Sequence, residues 1–129
     1  MKSTAALVLS LSLAGGTLVA ENATIRSLLS KDVAGLPGRE VSMIAVDYPP
    51  GASTPMHTHD AQAMVYVLEG SIVMQAKGGE PVTLTPGQTW YEGPDDVHVV
   101  SRNASNSAPA KYLVFMVKNK GAPILTPVK

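Results

Sequence analysis

Cysteine is absent from all 129 residues. That excludes disulfide staples, a lipid-modified Cys, a thiol nucleophile and thiolate metal ligation, so the fold stands on its core and on whatever ion it holds. An excess of either charge is also missing: Lys and Arg number 10, Asp and Glu number 10, and only 16% of residues are charged. The chain therefore has neither a basic footprint for nucleic acid nor an acidic tail. No serine nucleophile arrangement is visible. Gly78 and Gly79 do not run into a helix, so phosphate cradling has no support. No convincing amphipathic helix and no repeat of fixed period occur.

The first twenty residues have a separate character. Lys2 precedes an apolar stretch over 5–14, Gly15 and Gly16 follow, and Ala20 stands before Glu21. This is the layout of a secretory signal peptide, which predicts a secreted or periplasmic protein. Leu18 is larger than the small residue preferred at that position, which leaves the cut point open. Removing the leader takes away Lys2 and leaves one net negative charge. No later segment is long and apolar enough to span a bilayer, so no membrane partner is expected after leader removal. The expected organisation is a signal peptide over 1–20, an N-terminal arm over 21–40, a barrel over 41–117 and a tail over 118–129. Asn22 and Asn103 open sequon-like triplets that matter only in a glycosylating host.

Past the leader the chain reads as short strands cut by turns. Strands are predicted over 41–48, 62–68, 71–76, 82–85, 88–92, 97–103 and 111–117, with 71–76 as the hairpin partner of 62–68. Residues 25–29 read as a brief helical or extended arm. Regular spacing of this kind predicts an all-β fold, an antiparallel sandwich or barrel.

All three histidines fall where a metal site would use them. His57 and His59 form an H-x-H pair, and residues two apart on a strand project from one face. His98 lies on a later predicted strand. Neutral imidazole is the commonest side-chain ligand of transition metals, so the three could meet one ion from adjacent directions.

The motifs around these histidines resemble those of the cupins. Pro50, Gly51, His57, Thr58 and His59, then Tyr66, Val67, Leu68, Glu69 and Gly70, are similar to the first cupin motif. Pro86, Gly87, Gln88, Gly93, Pro94, His98 and Asn103 are similar to the second. The resemblance covers about residues 41 to 117 and implies a small single-domain cupin: a double-sheet jelly-roll barrel with a divalent ion inside, ligated by His57, His59 and His98. The family pattern usually carries Glu three residues before the Tyr, where this chain has Ala63. Two arrangements follow. Three histidines hold the ion with several positions open, or a fourth ligand comes from elsewhere. Gln62 is out of phase with the histidine face unless a bulge returns it. Glu92, at the end of the strand before His98, is the favoured fourth ligand or base, its alternative being an ordinary turn carboxylate beside Asp95 and Asp96.

Function then depends on the ion. With iron(II), favoured here, the site resembles the three-histidine cupin dioxygenases acting on a small organic substrate, with Glu92 or Tyr66 orienting substrate or moving a proton. Zinc, nickel or manganese would suit hydrolytic chemistry or none. The alternatives are a non-enzymatic module that binds a small molecule or a metal, and a metal that only supports the barrel. The expected partners are a small-molecule ligand and a second copy in a homodimer, with no nucleic acid. Asp95 and Asp96 read as turn formers. The methionines are better read as core than as a copper(I) site. Trp90, Tyr91, Tyr66, Tyr112 and Phe115 are better read as packing than as a pocket for an aromatic ligand.

Overall fold

The computed structural model describes residues 23–129; the expected leader lies outside them. The described residues are all-β, with ten strands in two antiparallel sheets of five. The first sheet runs in the order β1 (Thr24–Asp32), β2 (Arg39–Tyr48), β9 (Ala110–Asn119), β4 (Ala61–Glu69), β7 (Thr89–Glu92). The second runs β10 (Thr126–Pro127), β3 (His57–Thr58), β8 (Val97–Asn103), β5 (Ile72–Ala76), β6 (Val82–Leu84). The fold is thus the expected double-sheet jelly roll, built as a sandwich whose hydrogen-bonded ladders do not join the two sheets into a closed barrel.

Alternation along the strands makes the core. On β4, Ala61, Ala63, Val65 and Val67 are buried while Gln62, Tyr66 and Leu68 are exposed. On β9, Tyr112, Val114 and Met116 turn inward, beside Ile44 and Val46 of β2. Ile72 and Met74 of β5 face them from the second sheet, both fully buried. The methionine Met74 is therefore core, as its sequence setting suggested. A hydroxyl network crosses this apolar interior. Tyr48 Oη lies 2.6 Å from Thr54 Oγ1 and 2.8 Å from Ser101 Oγ, and it accepts from Tyr112 Oη at 3.2 Å.

One expectation changes, and the two terminal segments become definite. Residues 62–68 and 71–76 are not a hairpin, because β4 pairs with β9 and β7 whereas β5 pairs with β8 and β6. The turn between them carries the chain from one sheet to the other. It passes so close to the loop before β9 that a Cβ on Gly70, at φ +71°, would stand 2.3 Å from Pro109 O. The arm is a full edge strand, β1, paired with β2 from Thr24 to Asp32 with a bulge near Leu28. Residues 126–127, expected to be tail, add a short strand to β3.

The loops are fixed by side chains as well. Asn103, buried at the end of β8, donates its amide to Tyr48 O, Pro49 O and Ala108 O and accepts from Ser105 N. Asp96 accepts from Gly93 N at 2.7 Å, the turn-forming role expected of it.

Candidate metal centre

Strand register brings the three histidines together. His57 on β3 sits directly opposite His98 on β8, and His59 follows just past the end of β3. The ring centroids of His57 lie 4.8 Å from His59 and 4.7 Å from His98. The fourth member comes from the other sheet. Glu92 ends β7, is 1% exposed, and places Oε2 2.9 Å from His98 Nδ1 and 3.4 Å from His59 Nε2. One potential ligand atom from each of His57, His59, Glu92 and His98 falls within 4.8 Å of the others, and all four residues are buried.

Glu92 also lies beside Ala63, where the family pattern usually carries Glu. The two residues are register partners across the β4–β7 ladder, so they share the inward face side by side. A carboxylate therefore reaches the interior from β7 at the place where β4 presents only a methyl group. Gln62, one residue out of phase, is exposed on the outer face as a regular strand requires. Tyr66 is also on the outer face, 44% exposed, and the structure does not bring it to the cluster. With Met43, Met64, Tyr91, Leu113 and Phe115 it lines a shallow apolar groove there. Trp90 points inward with Glu92 and tilts over His98 at a centroid distance of 4.8 Å.

Hydrogen bonds fix the tautomers. A backbone carbonyl only accepts, so His57 donates Nδ1–H to Pro55 O at 2.7 Å and His59 donates Nδ1–H to Ile124 O at 2.6 Å. The Nε2 atoms of both rings are then the ones turned toward a ligand. His98 Nε2 lies 3.0 Å from Met74 Sδ. Its Nδ1 is close to Glu92 but not aligned for a hydrogen bond, and Glu92 Oε1 also has no partner. Buried polar atoms are seldom left unpaired, and both of these belong to the four-residue cluster.

Burial and neighbours set the charge states. Burial pulls His57 down from 6.5 to about 4 against the opposing bond to Pro55 O, so its ring is neutral at ordinary pH. Burial pulls His59 in the same direction, but the hydrogen bond and charge of Glu92 outweigh it and raise this ring. Burial pushes Glu92 up, yet the imidazoles of His59 and His98 set against its carboxylate hold it at about 2. The donor set is thus an ionised carboxylate and imidazoles, and at His59 a metal would compete with a proton held more tightly than usual. Such N/O donors suit iron, manganese, nickel or zinc.

The space at the cluster is small. It is a cavity of about 20 Å³ walled by aliphatic side chains that include Ile44, Val46, Val65 and Val114. Ile25, Thr54, Met74, Tyr112, Ile124 and Leu125 complete the lining. Sequence reasoning did not assign these last six to the metal site. Ile124 and Leu125 carried a signal, an adjacent pair of large aliphatic residues between Pro123 and Pro127.

Comparison with known proteins agrees with this geometry. The cupin domain family model matches residues 45–116, more than half of the chain. No curated protein matches it. Among solved structures, the DMSP lyase DddQ from Ruegeria pomeroyi DSS-3 is 22% identical, over 68% of this chain and 43% of that one, with a TM-score of 0.60. The polyketide cyclase RemF from Streptomyces resistomycificus is 23% identical, over 85% of this chain and 73% of that one, with a TM-score of 0.65. An oxalate oxidase in complex with the substrate analogue glycolate is 24% identical, over 92% of this chain and 61% of that one, with a TM-score of 0.66. The chain thus spans less than half of the lyase, and likenesses at these identities show the fold alone.

Proposed function

We propose that this chain, which belongs to the cupin family, is an exported metal-dependent enzyme acting on a small organic substrate. One divalent transition ion, iron(II) favoured, is held by His57, His59, His98 and Glu92. The observation that carries this reading is the convergence of four buried ligand groups, two of whose atoms, Glu92 Oε1 and His98 Nδ1, find no protein partner. A bound ion would supply Lewis-acid or redox activation of a substrate donor atom or of dioxygen.

The protein's own groups do the rest. Pro55 O and Ile124 O hold His57 and His59 in the tautomer whose Nε2 is free to ligate. Glu92, ionised at neutral pH, is positioned either to ligate or to take a proton from a bound substrate. The aliphatic walls leave room for little water and strengthen each electrostatic contact within. The similar structures include an oxidase, a lyase and a cyclase, so fold alone selects no reaction type. The dioxygenase reading rests on the imidazole-rich donor set.

The test is anaerobic loading with iron(II), addition of diketones, flavonols or thiols, and measurement of oxygen uptake. Turnover with one class, abolished by His57→Ala, supports the reading; no uptake across all three counts against it. A second reading, a non-enzymatic module that binds a metal, is favoured by the tightness of the cavity. It is distinguished by stoichiometric ligand retention without product. Export predicts that the protein recovered from the periplasm or medium lacks residues 1–20. The proposed homodimer uses the uncharged outer groove around Tyr66 and Tyr91, 44% and 54% exposed, as its apolar contact. A light-scattering mass of one chain rejects it.

A further inference from the structure

We infer that the segment from Asn119 to Val128 is a strap with two linked tasks. It closes the metal cavity, and through the Ile124 carbonyl it positions His59, so that admitting a substrate loosens one metal ligand. The inference rests on the metal-site reading above.

The strap is tied down at three places. At its root, buried Lys118 pairs with Glu40 and donates to Ala122 O at 2.6 Å, while Gly121 N donates to Glu40 at 3.2 Å. In its middle, Ile124 O accepts the His59 Nδ1–H bond at 2.6 Å, and Ile124 and Leu125 form part of the cavity wall. At its tip, Thr126 and Pro127 pair with Thr58 and His57, and Val128 N donates to Met56 O at 3.0 Å. The three ties bracket the H-x-H pair, and the middle one is made to a proposed ligand.

Volume requires a wall of the cavity to move before an organic ligand can enter. A cavity of about 20 Å³ exceeds the roughly 10–15 Å³ that one water needs, but sites for organic ligands run to about 300–1,000 Å³. The closed form therefore takes an ion and a ligand of one or two atoms. The strap is the most weakly paired wall: its tip is a two-residue strand at the sheet edge, whereas the walls from the other sheet come from the central strands β2, β4 and β9 and from the longer edge strands β1 and β7. Lifting it breaks the bond that fixes His59's tautomer and ring orientation. Loss of such a partner typically costs about 10–100-fold in metal affinity.

A crosslink tests both tasks in the full chain. Thr58 and Thr126 are register partners. Antiparallel partners stand about 4.5–5.5 Å apart at Cα, within the range of a disulfide, and the chain has no cysteine to interfere. The variant Thr58→Cys, Thr126→Cys is compared oxidised and after reduction and alkylation with iodoacetamide, loaded with cobalt(II). We expect transfer of cobalt to the chelator 4-(2-pyridylazo)resorcinol to be at least about tenfold slower in the oxidised form, because opening of the strap is blocked. Adding Ile124→Gly and Leu125→Gly should raise the cobalt Kd at least about tenfold in the alkylated form and change its visible spectrum, with oxidation restoring both. Equal transfer rates in the two forms overturn the closure, and failure of oxidation to restore affinity overturns the positioning of His59. If the parent binds no cobalt at all, the metal reading fails by itself. Carbethoxylation of the three histidines by diethyl pyrocarbonate in metal-free protein, read by mass spectrometry, still decides the closure: slower modification in the oxidised form supports it and equal modification overturns it.

Discussion

Moving the carboxylate across the β4–β7 ladder is the most demanding perturbation of the proposed site. Ala63 and Glu92 are register partners on the inward face, and directly opposed side chains have Cβ atoms about 4.5–5.5 Å apart, less than the reach of a glutamate. A four-ligand structural zinc site contributes about 10–16 kcal/mol of binding free energy, so an even share for one ligand is about 3 kcal/mol, or roughly a hundredfold in Kd. Glu92→Gln, which keeps the volume and removes the charge, should therefore weaken manganese or zinc binding about a hundredfold. Glu92→Ala should do the same. Adding Ala63→Glu to Glu92→Ala should recover at least about tenfold, since the new carboxylate enters the same interior space from the neighbouring strand. Ala63→Glu alone should destabilise the metal-free protein by about 3–5 kcal/mol, because it buries a second carboxylate beside the first. Isothermal titration with each metal gives the affinities. Trp90, the single tryptophan, sits 4.8 Å from His98 by ring centroid and offers a second readout through quenching by cobalt(II). Parent-like affinity in Glu92→Gln refutes Glu92 as a ligand, and a double variant no tighter than Glu92→Ala refutes the equivalence of the two positions.

Further consequences concern protons and the core. Metal binding at about pH 6 should release a proton, because Glu92 raises the proton affinity of His59 in the metal-free protein; titrations at that pH in buffers of different ionisation enthalpy should diverge, and coincident enthalpies would argue against it. The metal-free protein should gain stability as pH rises. Glu92, held at about 2 against an ordinary 4.5, contributes roughly 3 kcal/mol that is complete above pH 4.5 and lost as pH falls toward 2. His57, held at about 4 against 6.5, binds its proton more readily when unfolded, so roughly 3 kcal/mol more is gained between pH 4 and 6.5. The raised His59 works the other way: its contribution is present below pH 6.5 and lost as pH rises through its folded value. A melting temperature that is flat from pH 3 to 6.5 would contradict these assignments. Gly70→Ala should cost more than about 3 kcal/mol, since it meets both a positive φ and the backbone of Pro109; a denaturant midpoint near that of the parent would mean the loop moves freely. Tyr48→Phe should cost about 1–3 kcal/mol by leaving the buried Thr54 and Ser101 hydroxyls without their shared partner, measured by urea unfolding.

Local pattern and turn chemistry made the strands legible, and long-range pairing set what was not. Alternation along residues 62–68 told which side chains face inward, but a strand followed by Glu69, Gly70 and Ser71 reads equally as a hairpin and as a corner between sheets. The difference lies in Pro109, nearly forty positions away, whose carbonyl leaves no room for a side chain on Gly70. The histidines were legible because the H-x-H spacing places two of them on one face whatever the topology. Glu92 was legible only as a candidate. Within its own strand it looks like a turn carboxylate next to Asp95 and Asp96, and only the β4–β7 register sets it beside the vacated position at Ala63. The edge strand β10 was hidden for the same reason: two residues hold no period, and Thr126 and Pro127 become a strand only because Thr58 and His57 offer an unpaired edge. In this fold the site is a property of pairing. Each strand contributes one or two inward residues, and the chemistry arises where registers from both sheets coincide. A substitution that slipped the β4–β7 ladder by a single residue would turn Glu92 outward and dismantle the site while leaving every ligand in the sequence.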